Sequence, residues 1–225
     1  IVEKELKSLI KEPVYAKRFH PIYNNYPDPM SPLDARKMLK IDNSKVVLFF
    51  GFVRKYKGLD ILIKSMEKVF EVDDDVKLLI AGECYGNKRE YCDVINKSRY
   101  KDNIVWVEEF ISDLDVSKYF SASDIVVLPY RSASQSGIVP LAYHYNKPVI
   151  VSNLESLEEV VDEGKTGHVF QLEDVEDLQS KILDFFNNVK DDSYEENIIK
   201  YKRNFSWESF VSGIEEVCRE LNEKR

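Results

Sequence analysis

The chain has 225 residues, 44% hydrophobic and 12% aromatic, enough for one large or two small packed domains. Its 40 acidic residues outnumber its 32 basic ones for a net charge of −8, so it offers no broad positive footprint for nucleic acid or an anionic membrane. The cysteines Cys84, Cys92 and Cys218 show no CxxC spacing and no apolar run approaches the ~18 residues of a membrane span, a pattern expected of free thiols in a cytoplasmic setting without a zinc site.

The first segment, "IVEKELKSLIKEP", is charged and amphipathic, has no signal-peptide core, and reads as the tail of a helix that began earlier. Five prolines (Pro13, Pro21, Pro27, Pro29, Pro32) follow within the first 32 residues, and "HPIYNNYPDPMSP" is too punctuated for helix or central strand. Residues 1–30 are therefore expected to be the end of a preceding domain and an interdomain linker, with the folded unit at 31–225. Ser31 as N-cap, Pro32 at the first helical position and Asp34 in the first turn make "SPLDARKML" a short helix.

From residue 46, apolar runs alternate with segments of helical period. "VVLFFGF", "VKLLIAG", "NIVWVEEF", "DIVVLPY" and "KPVIVS" read as strands buried on both faces of a parallel sheet. Leu59, Leu62, Met66 and Val69 fall on one helix face, and so do Val116, Tyr119 and Phe120 after a Ser112/Asp115 capping pair. Leu154, Leu157 and Val161 mark a further helix after Ser152, and Val175, Leu178, Ile182 and Phe186 another. "SYEENIIKYKRNF" and "SWESFVSGIEEVCREL" close the chain as two more. The alternation predicts an α/β fold: a Rossmann-like, doubly wound parallel sheet with extra C-terminal helices.

Such sheets bind ligands beyond the carboxyl ends of the strands, where strand order reverses. Gly51, Gly58, Gly82, Gly86 and Gly137 all stand where a strand hands over to a helix. In "FFGFVRKYKGLDILI", Arg54, Lys55 and Lys57 precede a helix start, where cations oppose the helix dipole unless an anion lies between them. The spacing is neither GxGxxG nor GxxxxGK[ST], which disfavours a dinucleotide fold or a P-loop. In "RSASQSGIVPLAYHY", small and polar residues open another helix, and the amides of Ser136, Gly137 and Ile138 are expected to face the same space. Two helix starts converging on one cleft suit a diphosphate. His20, His144 and His168 are scattered, which supports neither a metal site nor a histidine-based triad, and Ser136-Gly137 lacks the GxSxG elbow. The stripe of Trp207, Phe210 and Ile214 is expected to be core or interface.

These two loops, in this order and about 80 residues apart, together with "HPIYNNYP", "LLIAGE" and "LEEVVDEGKTGHVF", resemble the carboxyl-terminal donor-binding domain of a GT-B glycosyltransferase, specifically the retaining family 4. The resemblance implies that Lys57 contacts the diphosphate of a UDP- or GDP-sugar. It implies that Arg54 replaces the family's arginine, which usually directly follows the first glycine, where this chain has Phe52. Gly51, Gly82, Glu83, Ser134, Gln135, Val139 and the three amides would line the donor, and the backbone of Phe110 and Ile111 would meet its base. The family often carries two glutamates seven residues apart around the second loop; aligned on Gly137, they fall on Ser134 and Ala142.

The implied reaction is sugar transfer with retention to a carbohydrate or lipid-linked acceptor, needing neither a metal nor another cofactor. It also requires an N-terminal acceptor domain that this chain lacks, so the isolated chain is expected to be inactive. The full-length protein would be cytoplasmic or peripheral to the membrane. Two alternatives stay open: a non-catalytic nucleotide-sugar-binding or regulatory module, suggested by the missing glutamates, and a sugar-nucleotide epimerase, whose usual histidine and carboxylates are not evident.

Overall fold

Strand β1 (Lys45–Phe50) shows why the molecule has three layers. Val46, Leu48 and Phe50 belong to one buried cluster, and Val47 and Phe49 to the other. Successive side chains of a strand point to opposite faces, so an uninterrupted apolar run needs cover on both. The computed structural model describes residues 2–22, 25–42, 44–188 and 193–223. Its six-stranded sheet has the order β3-β2-β1-β4-β5-β6, with every neighbouring pair parallel. The other strands are β2 (Val76–Ala81), β3 (Ile104–Val107), β4 (Ile125–Leu128), β5 (Val149–Ser152) and β6 (Gly167–Phe170).

Leu59, Leu62, Met66 and Val69 of helix α3 (Leu59–Val72) are fully buried against one face of the sheet, with Leu178 and Ile182 of α8 (Val175–Asn188) beside them. The opposite face is covered by α5 (Val116–Ala122) and α6 (Ile138–His144), through Tyr119, Phe120, Val139 and Tyr143. Helix α2 (Pro32–Met38) packs on α5. Arg36 there reaches both carboxylate oxygens of Asp124 at 2.9 Å and the carbonyl of Ala122 at 2.9 Å, while Asp124 also accepts the Val46 amide at 2.7 Å. The doubly wound Rossmann-like architecture read from the sequence is the one observed.

Local structure departs from the sequence reading in three places. Helix α4 (Lys88–Lys97) was missed because only Tyr91 and Ile95, one turn apart, reach the core, too short a stripe to register as a period. Ser112 donates to the Asp115 carboxylate at 2.8 Å, so neither side chain caps α5. The helix expected from Leu154 through Val161 is the single turn α7 (Glu155–Glu158). Of the core or interface expected for Trp207, Phe210 and Ile214, the core is ruled out, since they lie on the exposed side of α10 (Trp207–Glu223).

Among the described residues, the proline-rich stretch before α2 is neither helix nor strand, as its punctuation predicts, yet it is strapped to the sheet unit. The carbonyls of Pro27 and Asp28 accept from the hydroxyls of Tyr145 and Ser117 at 2.9 and 2.7 Å, and Phe19 stacks on Phe205 at 4.8 Å. Arg18 pairs with Glu216 of α10 at 2.6 Å. Among the described residues no helix is long and apolar enough to cross a membrane.

Candidate functional site

The strand order reverses between β1 and β4, so the loops that follow these strands open side by side. Two glycines show how tightly they meet. Gly58 has a φ of +68°, and a Cβ there would lie 1.9 Å from the carbonyl oxygen of Pro129, just past β4. Gly51 has a φ of +92°, and a Cβ there would fall 3.0 Å from Lys57 Nζ and 3.7 Å from Ile138 Cδ1. One point at the end of β1 thus gathers Gly51, Lys57 and Ile138. Gly82, at the flush end of β2, lies against the backbone of Gly51, leaving 2.2 Å between its hypothetical Cβ and the Gly51 oxygen.

Lys57 ends a 3-10 turn, Lys55–Lys57, and is buried, with its ammonium 5.6 Å from the centre of the Tyr130 ring. Among the described residues the ammonium has no hydrogen-bonding or carboxylate partner, while the Lys57 amide donates to the Arg54 carbonyl at 2.9 Å. Burial, followed by repulsion from Arg54, lowers its pKa to about 8. Burial also pushes the Tyr130 hydroxyl well above its ordinary value, partly offset by its hydrogen bond to Ser136, so this phenol stays protonated.

A cleft of about 550 Å³ joins Tyr56, Lys57 and Tyr130 to residues 132–138, including Ser134, Gln135, Ser136, Gly137 and Ile138. Gly137 has an ordinary φ of −74° and nothing within 4 Å of its hypothetical Cβ, so neither the turn nor packing requires glycine. The Ile138 amide already has a local partner, donating to Ser136 Oγ at 3.2 Å rather than standing bare. Residues 135–137 also border a second cavity of about 350 Å³, whose far wall is the strapped segment 18–22 with Ser156 and Glu159.

The remaining predicted residues lie outside this cleft. Arg54 is exposed, its guanidinium 5.4 Å from the centre of the Tyr85 ring. Phe52 meets Tyr85 edge-on at 4.9 Å and Phe110 at 6.2 Å, forming an exposed aromatic group beyond β1, β2 and β3. Ile111 packs against the core, and Glu83 is half-buried with its carbonyl bound by the Val53 amide at 2.9 Å. Val139 and Ala142 are fully buried in the core, so their side chains present nothing to a ligand. Among the described residues no three His, Cys, Asp or Glu side chains are grouped to hold a metal.

The sequence reading passed over Tyr56, Tyr130 and Arg131. Tyr56 sits in the turn Lys55–Lys57 and Tyr130 just past β4, and nothing in the local pattern marks either as lining a cleft. Arg131 carries no local signal, because its carboxylate partners Asp60 and Glu173 are 71 and 42 residues away.

The chain is similar to known proteins in sequence and fold. An uncharacterised glycosyltransferase of Methanocaldococcus jannaschii is 28% identical over 179 residues, covering 78% of this chain and 48% of the relative. The chain spans about half the length of the curated relatives it matches. Among solved structures, Anabaena HepE in complex with UDP and glucose superposes with a TM-score of 0.74 at 18% identity, over 92% of this chain and 56% of that one. The C-terminal domain of a glycosyl transferase group 1 family protein (LpcC) from Francisella tularensis superposes with a TM-score of 0.70 at 16% identity, over 77% of this chain and 92% of that one. Residues 31–205 match the family described as glycosyl transferases group 1, and the chain belongs to that family.

Proposed function

We propose that this chain is the donor-binding half of a GT-B transferase, resembling retaining family 4, and that it holds a UDP- or GDP-sugar in the cleft between the β1 and β4 loops. The observation that carries the reading is Lys57: a buried lysine whose ammonium has no anionic partner among the described residues, at the point where the two loops converge on the cleft. An unpaired buried cation is costly unless something anionic completes it. The neighbouring HepE structure, with UDP and glucose bound, supports the choice of anion.

In this reading Lys57 binds the donor diphosphate and stabilises the negative charge that grows on it as the sugar leaves, a role for a pre-placed cation in a water-poor cleft. Arg54, exposed and near enough to repel Lys57, adds to the same field. Ser134 to Ile138 supply hydroxyl, amide and backbone groups to sugar and phosphate oxygens, and the Ile138 amide exchanges its Ser136 partner for the ligand. Phe52 and Phe110 lie toward the base. Residues 1–30 form the connection to an acceptor-binding half, and the chain without that half binds donor but transfers no sugar.

Calorimetric titration with UDP and GDP tests the assignment. A charge-assisted hydrogen bond contributes about 1.5–3 kcal/mol, so Lys57→Ala is expected to raise the Kd about ten- to a hundredfold. An unchanged Kd would remove Lys57 from the site. A second reading, donor binding without transfer, draws on Ser134 and the buried Ala142 at the positions of the family's carboxylates. A full-length protein that binds donor yet releases no nucleoside diphosphate with any acceptor would favour it.

A further inference from the structure

Arg131 reaches three loops at once. Its Nη1 and Nη2 donate to the two carboxylate oxygens of Asp60 at 2.8 Å each, and its Nε donates to Glu173 Oε1 at 2.6 Å. Nη1 also donates to the Lys55 carbonyl at 2.9 Å, and the Arg131 amide donates to the Tyr56 carbonyl at 2.7 Å. The carbonyls of both residues preceding Lys57 are therefore held by one residue from the opposite loop. Asp60 lies in the first turn of α3, immediately past Gly58, so the 3-10 turn that carries Lys57 is gripped on both sides. Two carboxylates neutralise the guanidinium, so Arg131 fixes geometry without adding free positive charge to the cleft. Only a planar fork satisfies these acceptors together; a lysine ammonium cannot.

We propose that Arg131 is a positioning residue that sets Lys57 against the β4 loop and thereby tunes affinity for the nucleoside diphosphate. This rests on the donor-site reading above. The test is a double-mutant cycle on the full chain, with the Kd for UDP measured by calorimetry or ligand-detected NMR in wild type, Arg131→Ala, Lys57→Ala and the double variant. If Arg131 acts through Lys57, Arg131→Ala raises the Kd about tenfold alone and less than about twofold when Lys57 is already alanine. Arg131→Lys does not restore affinity. Equal losses in both backgrounds would overturn the coupling, as would full rescue by lysine. Should Arg131→Ala lack a cooperative thermal transition, Asp60→Asn and Glu173→Gln replace it in the same cycle and are read the same way. A wild-type chain that binds neither UDP nor GDP would overturn the donor-site reading, a failure distinct from an additive cycle.

Discussion

Lys57 gives up its proton near pH 8 in the folded chain, whereas an unfolded lysine holds it to about the ordinary 10.5. Between these values the unfolded chain binds more protons, so this residue makes stability rise with pH across that window. Below about pH 8 both states are charged, and the cost of burying the ammonium is fully present. Lys57→Met is therefore expected to raise Tm at pH 7 and to flatten the rise between pH 8 and 10.5. Thermal melts across that range check it; a lower Tm at pH 7 would mean that the ammonium is satisfied in the folded chain. The residue that costs stability without ligand is the one proposed to bind the anion, the usual relation between a strained site and its use. The pairing of lysine with Gly58 was legible in sequence. Its burial against Tyr130 was not, because Tyr130 lies past the end of β4, 73 residues later, and nothing local ties the two together.

At the scale of the element, the glycines separate packing from ligand space. Gly58 combines a left-handed backbone with a carbonyl only 1.9 Å from its hypothetical Cβ, so Gly58→Ala is expected to destabilise by at least about 2 kcal/mol in urea unfolding. Gly137→Ala, with ordinary backbone and open space, is expected to cost no more than about 1 kcal/mol while weakening UDP binding, since it adds a methyl at a residue that lines the cleft. Comparing urea midpoints and Kd values for the two variants tests both statements. Sequence reading treated the five turn glycines alike, because composition marks that a turn exists and not which neighbour crosses it. The strands and the long amphipathic helices were readable because burial on two faces or one imposes a period. Helix α4 escaped because it touches the core at only two positions.

For the molecule as a whole, the opening of the family match at residue 31 coincides with a structural anchor. Arg36, Asp124, the Ala122 carbonyl and the Val46 amide tie α2 to the starts of β1 and β4. Asp124→Ala leaves the Val46 amide and the guanidinium short of an acceptor and is expected to cost about 1–3 kcal/mol in chemical unfolding, with UDP affinity unchanged because the node lies at the amino ends of the strands. The segment before α2 adds a second, separate docking, through Phe19, Pro27 and Asp28, to α5, α6 and the region around Phe205.

The sequence by itself determined the alternation of buried strands with long amphipathic helices, the parallel sheet, and the two loops at which a ligand would be sought, since each follows from local period, turn chemistry and chain order. Tertiary structure alone decided which residues of those loops share a cleft, that Phe52 and Phe110 form a separate aromatic group, that Val139 and Ala142 belong to the core, and that Arg131 braces the Lys57 turn. The physical reason is distance along the chain: these contacts join residues far apart in sequence, and those of the cleft and of Arg131 also cross the reversal of strand order between β1 and β4.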